Sequence, residues 1–389
     1  MKAAAFFNYR YAFPLAAVLL AIVFMLNPDI APAHLDEIEG GGLGAVGAAL
    51  AVLSTFLLGG AAFATSAHSE VVAERLGQPF GTLVLTLSVT VIEVSVISSM
   101  MLHNESNPTL AREAVFSVMM IVNTGLVGLC LLLGSLRYRE QTVSQQGIAG
   151  YLSVMIALGV LLLILPGEMK DTHDGAFSTF HLIFMSLTAV ALYGAFLYMQ
   201  TVRHKDLFVI GAGHGPHGGH GADAAHGAHG VHAPPDGRRF AAALGMLVVS
   251  LVGVVALSKQ MAAGFEDGLS RFALADPDAV TGALLAAAVL MPESIAAVSA
   301  ARRNDLQTSL NLSLGSVLAT IALTIPTMAI ISVIIDRPMV LGLGAVDRSL
   351  LLLTFVLSIL SFGTGKTNAL NGIVHLIVFF VYVMLLFVP

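Results

Sequence analysis

Charge is scarce in this chain of 389 residues. Asp, Glu, Lys and Arg together make 11%, against 57% hydrophobic residues. A soluble domain carries about 25% charged residues. With a mean hydropathy of +0.87, the composition excludes a soluble globular chain and implies a polytopic membrane protein. Cysteine is nearly missing too, and the single Cys130 excludes an intrachain disulfide or a thiolate metal cluster. The net charge of -6 is confined to loops and no basic block is present, so nucleic acid is not an expected partner; membrane lipid is. The sequence also lacks a His-Glu zinc signature and a Ser or Cys nucleophile beside a base, which speaks against an intramembrane enzyme. Two nucleotide-like strings fail on inspection. Gly42-Leu-Gly-Ala-Val-Gly47 opens a membrane helix with no strand before it, and Gly363-Thr-Gly-Lys-Thr367 has Leu360 where a phosphate loop needs glycine. No cofactor is expected.

Apolar runs are what the chain has in quantity. They fall at about 12–27, 42–65, 80–102, 114–135, 148–166, 178–199, 240–258, 276–300, 308–335, 346–363 and 368–388. This predicts an all-α protein with about 11 membrane helices. Residues 1–41 form a first helix and an acidic loop carrying Asp29, Asp36, Glu37 and Glu39. Ala31-Pro32-Ala33 resembles a signal-peptide cleavage site, but a retained helix agrees better with the orientation of every later loop. With the amino terminus cytoplasmic, Lys2, Arg10, Arg75, Arg137, Arg139, Arg203, Lys205, Arg238, Arg239, Arg302, Arg303 and Lys366 all lie inside. The carboxyl terminus is then periplasmic or extracellular.

A carboxylate interrupts the third run. Glu93 follows Gly81-Thr-Leu-Val-Leu-Thr-Leu-Ser-Val-Thr-Val-Ile, and at helical spacing Thr82, Thr86, Thr90 and Glu93 share a face. An acid at mid-membrane costs roughly 2.5–3.5 kcal/mol on insertion scales, so an ion or proton site is the default reading. The plainer one is an acid neutralised by a neighbouring helix. Glu293, after Met291-Pro292, holds an equivalent place in the second half of the chain. The halves, 42–199 and 240–389, each have five spans, and an odd number inverts one half against the other. Arg112-Glu113 leads to Asn123-Thr124-Gly125 in the first half, as Asn304-Asp305 leads to Gly315-Ser316-Val317 in the second. Ser309, Ser313, Ser316, Thr320 and Thr324 add a polar stripe, although such hydroxyls often bond only their own backbone. Pro292 and Pro326 are expected to loosen the helical ladder and free carbonyls for a cation.

These motifs resemble the calcium/cation antiporter superfamily, more narrowly its bacterial calcium/proton antiporter branch. The resemblance rests on residues 81–93, on Met291-Pro-Glu293 and on 301–316, and extends over essentially the whole chain, including 363–372. It implies an inverted 5+5 repeat with an extra first helix in the inner membrane of a bacterium. It also implies a transporter in which Glu93 and Glu293 bind the metal ion or protons, with Thr90 one turn before its acid. Gly315-Ser316 is the family's Gly-Ser pair, with Thr320 on the same stripe; Asn123-Thr124 stands where the first repeat commonly has Gly-Ser. Ile92 also departs from the proline found at position 292.

Two carboxylates balance one divalent cation or two protons, and hydroxyls and carbonyls complete an oxygen shell of the kind Ca2+ takes. The expected activity is export of Ca2+ against H+ by alternating access at the membrane midplane. Exchange of Na+ or K+ for H+ on the same carboxylates is the alternative; oligomeric state stays open. The segment 200–239 is rich in Gly and His, with His214, His217, His220, His226, His229 and His232 at irregular spacing. A flexible cytoplasmic linker is expected there, with weak metal binding as the sharper reading. His181 and His375 sit in membrane runs and read first as hydrogen-bonded packing residues, second as proton relays.

Overall fold

The computed structural model describes residues 2–34, 44–77, 80–103, 108–169, 176–208, 236–270 and 276–388. Its elements are α1 (Lys2–Leu26), α2 (Ala45–Leu76), α3 (Phe80–His103), α4 (Leu110–Tyr138), α5 (Gln145–Glu168), α6 (Thr179–Arg203), α7 (Gly237–Ser270), α8 (Pro277–Val289), α9 (Met291–Arg302), α10 (Leu306–Ile334), α11 (Ala345–Phe362) and α12 (Ala369–Phe387). Helix is the form that satisfies every backbone group within one segment in lipid. Among the described residues, nine helices are long and apolar enough to span a membrane, and α8 with α9 makes a tenth, broken span. The first helix contributes a shorter apolar stretch, Arg10–Leu26.

The helix starts are chemically specified. Ser144, Ser178, Asp305 and Asn368 accept from the backbone N–H three residues on, capping α5, α6, α10 and α12. Asp276 Oδ1 does the same for Ala279 at 3.0 Å, with Pro277 at the first helical position of α8. Gly77 ends α2 at φ 64°, a left-handed conformation that costs glycine little. Several boundaries differ from the sequence expectation: the first helix begins at Lys2, ahead of the run at 12–27, and the run at 276–300 is broken between α8 and α9. The runs at 42–65 and 240–258 continue as helix to Leu76 and Ser270. Hydropathy falls there because polar residues enter, yet His68, Ser69, Ser258 and Asp267 are buried, so packing sustains the helix.

The described helices fall into two compact units, each built from both halves of the sequence. One contains α1, α2, α3, the first residues of α4 up to Ala114, α7 and α8. Here α7 packs along α2 and α3, around Val71, Val72, Ala243 and Leu247, and α1 lies against α2 and α7. The other contains the rest of α4, then α5, α6 and α9 to α12. In it α12 packs along α4, while α9 packs on α10 and α4. A two-stranded antiparallel ribbon, β1 (Glu140–Thr142) with β2 (Lys366–Asn368), joins the end of α4 to the start of α12.

Candidate functional site

Glu93 lies in the middle of α3, 5% exposed, in the unit where α3 packs against α2, α7 and α8. Three polar residues of α3, Ser88, Thr90 and Glu93, turn inward. Ser88 and Thr90 are buried beside Ile92 and Val96, while Leu87 and Val91 form part of the outer, lipid-ready face. Their hydroxyl protons are spent locally: Ser88 donates to Val84 O at 2.7 Å and Thr90 to Thr86 O at 3.0 Å. A hydroxyl that donates to its own helix still presents lone pairs, so Thr90 keeps its value as an oxygen ligand. Ser99 Oγ meets Ser258 Oγ at 2.6 Å and ties α3 to α7 at the end of this face.

The other unit holds Glu293, Asn123, Thr124, Gly315, Ser316 and Thr320. Pro292 disfavours α-helix before it, and the chain breaks at Leu290, where ψ is −5°. The new helix α9 therefore begins at Met291, two residues before Glu293, and a carboxylate in the first turn is favoured by the helix dipole. This helix packs against α10 and against the segment of α4 that carries Asn123 and Thr124.

That segment, Ile121–Leu126, is a single π-helical turn inside α4. Its cause is visible in the side chains. Asn123 Nδ2 donates to Met119 O at 2.9 Å, and Thr124 Oγ1 donates to Met120 O. Both carbonyls lie four residues back, where regular α-helix bonds would go, so the side chains compete with the ladder. Val127 N–H accordingly is shared between Thr124 O, three residues back, and Val122 O, five residues back. Asn123 is buried, as is Thr124. Since the Met119 carbonyl can only accept, the nearer amide atom of Asn123 is nitrogen; its Oδ1 is buried and accepts no hydrogen bond among the described residues.

A second π turn, Thr320–Thr324, lies in α10 just before Pro326. Proline has no N–H for the carbonyl of Ala322, which falls inside the turn. Val160–Ile164 before Pro166 in α5 repeats the device. On α10, Ser309, Ser313, Thr320 and Thr324 are buried, whereas Gly315 and Ser316 are partly exposed. Ser313 donates to Ser309 O at 2.8 Å, the plainer role for such a hydroxyl. Gly315 faces the Tyr151 ring, which an added Cβ would meet at 3.8 Å. Among the described residues, no three His, Cys, Asp or Glu side chains gather as a metal cluster.

A profile of the family described as Sodium/calcium exchanger protein matches residues 46–202 and again 242–388. The chain belongs to this exchanger family. The exchanger is 40% identical over 345 residues to the Putative ionic transporter y4hA of Sinorhizobium fredii, covering 87% of this chain and 89% of that protein. It is 36% identical over 326 residues to the Sodium-potassium/proton antiporter ChaA of Escherichia coli, covering 84% and 85%. It matches the solved structure of native YfkE with a TM-score of 0.69 at 15% identity, over 98% of this chain and all of that one, a likeness of fold. The exchanger is thus a multi-pass membrane cation antiporter, and no enzyme.

Three features of the exchanger were only partly legible in the sequence, which named Arg112-Glu113 and read His375 first as a hydrogen-bonded packing residue without giving the partners of either. Of the π turns only the one before Pro326 was signalled; in α4 nothing but the Asn-Thr pair marks one, and the turn Met199–Arg203 at the end of α6 has no proline beside it. The Arg112–Glu113 ion pair, 2.5 Å apart with Glu113 buried, gives the acid that precedes α4's site segment a partner. His375 is fully buried, with Nδ1 2.8 Å from Asn123 O and Nε2 3.0 Å from Ser361 Oγ. His181 instead bonds Ser178 Oγ through Nδ1 at 2.7 Å, at the start of α6. The linker histidines 214, 217, 220, 226, 229 and 232 lie outside the described residues.

Proposed function

We propose that the exchanger moves cations out of the cytoplasm in return for protons, with Glu93 and Glu293 as the exchanging carboxylates and Ca2+ as the cation. The observation that carries this reading is the pairing of Glu293's short helix with a π turn whose Asn123 Oδ1 is a buried acceptor with no donor among the described residues. A carboxylate and a neutral, oriented oxygen on two adjoining helical segments are the kinds of ligand a hard cation takes. Thr90, Thr124, Ser316 and Thr320 are the hydroxyl ligands of the same reading, and Gly315 leaves room beside Ser316. Two carboxylates neutralise one Ca2+ or two protons, so occupancy by one excludes the other and coupling follows without a second site.

The two segments matched by one family profile support a duplicated unit at 42–199 and 240–389. In this reading the Lys and Arg distribution puts the amino terminus and the linker in the cytoplasm of a bacterial inner membrane. Exchange of Na+ or K+ for H+ is the second reading, favoured by the 36% identity to a sodium-potassium/proton antiporter. The Ca2+ reading draws in turn on the fold shared with YfkE, a Ca2+/H+ antiporter.

Everted vesicles loaded with an acridine dye test both. Addition of CaCl2, NaCl or KCl is followed by dye recovery as protons leave, for the wild type and for Glu93→Gln and Glu293→Gln. A calcium response lost in both variants is expected. Responses to sodium or potassium alone would move the assignment to the monovalent reading, and responses untouched by either substitution would overturn the carboxylate assignment.

A further inference from the structure

We propose that His375 is a positioning residue for cation binding, acting through Asn123; this rests on the reading of Asn123 Oδ1 as a cation ligand. The π turn creates the need. In a regular helix Val127 N–H would bond the Asn123 carbonyl; here it is shared between Thr124 O and Val122 O instead. His375 on α12 supplies a donor in its place, at 2.8 Å. Because a carbonyl only accepts, the ring hydrogen is on Nδ1, which leaves Nε2 as the acceptor for Ser361 Oγ–H at 3.0 Å. Both ring nitrogens are then occupied, which suits a fixed strut and not a proton relay.

The strut is held at the right height. An added Cβ on Gly128 would meet His375 Cβ and Leu376 N at 3.0 Å, and one on Gly372 would meet Leu132 N at 2.6 Å, so α4 and α12 touch backbone to backbone. Two turns on, Tyr382 donates to Ser117 Oγ at 2.7 Å. Asn123 is therefore gripped by its carbonyl through His375 and by its amide nitrogen through Met119, and Oδ1 is the acceptor left over. Outer partners of metal ligands characteristically change affinity by about 10–100-fold when removed.

Isosteric substitutions separate this role from packing. The amide nitrogen of Asn lies near the position of imidazole Nδ1, and that of Gln near Nε2. In everted vesicles of the full-length protein, with CaCl2, NaCl and KCl as probes, His375→Gln is expected to raise the apparent KM for the transported cation about tenfold, with Vmax changed less than about threefold. His375→Asn keeps the donor to Asn123 and restores KM to within about threefold of wild type. Asn123→Ala raises KM, and adding His375→Gln to it raises KM no further. Equal KM values for the Asn and Gln variants, or effects that multiply in the double variant, would overturn the proposal. An unchanged KM in Asn123→Ala would instead overturn the ligand reading beneath it. If His375→Gln does not accumulate in the membrane, Ser361→Ala carries the same test: a severalfold rise in KM is expected, and no rise overturns the proposal.

Discussion

Gly372→Ala adds one methyl group at the closest approach of α12 to α4. The new Cβ would lie 2.6 Å from Leu132 N and 2.9 Å from Gly128 O, both backbone atoms that no rotamer change can move. Restoring van der Waals distance requires α12 to retreat by roughly 0.5–0.8 Å. Overpacking of this kind costs about 1–3 kcal/mol, partly offset by about 0.5–1 kcal/mol because alanine favours helix over glycine. The retreat also stretches the 2.8 Å bond from His375 to Asn123 O towards the limit of a useful hydrogen bond. Leaving those buried groups unpaired adds about 1–3 kcal/mol. Gly194 on α6 is the control, since a Cβ there meets nothing within 4 Å and only the helix-propensity gain remains. Thermal unfolding of both variants in detergent, with cation KM measured in vesicles, makes the comparison. Gly372→Ala is expected to unfold several degrees below wild type with a raised KM, and Gly194→Ala at or above wild type. Equal stability of the two, with wild-type KM in both, would refute the packing argument and weaken the account of α12 as a strut.

Two further substitutions probe the two units. Arg112→Met leaves Glu113 as a buried acid without its guanidinium, a loss of about 3–5 kcal/mol, whereas Arg112→Met with Glu113→Gln recovers much of it; the yield of folded protein from membranes for single and double variants decides the matter, and an equally poor double would count against it. Thr124→Val keeps the shape but removes the donor to Met120 O, returning that carbonyl to the helical ladder. Transport is expected to fall about tenfold or more, since the change removes both a hydroxyl of the proposed ligand set and the bond that competes with the ladder, with little change in unfolding temperature; full transport by Thr124→Val would overturn both roles of this hydroxyl.

The positions of the helices were legible because lipid imposes one rule on every span: a run long enough to cross must be apolar and must bond its own backbone. The runs around Glu93 and Glu293 announced themselves by breaking that rule. Helix ends were less legible at Leu76 and Ser270, since buried polar residues such as His68 and Asp267 lower hydropathy without ending a helix. Pro292 and Pro326 marked ladder defects in sequence, because a missing N–H is a property of one residue. The π turn at Asn123 has no such local sign, since Asn and Thr bond back to i−4 carbonyls only when their rotamers allow it.

The sequence by itself therefore determined the class of the protein, its spans, its membrane acids and its family likeness, all of which depend on composition and spacing along one chain. Only the tertiary structure decided which groups each acid's helix meets. It placed α9 against the Asn123 turn, left Asn123 Oδ1 without a donor, and brought His375 from the last helix to a carbonyl 252 positions earlier. Those outcomes depend on glycines that let α4 and α12 touch, and close approach between distant segments is a property of the packed chain and not of either segment's pattern.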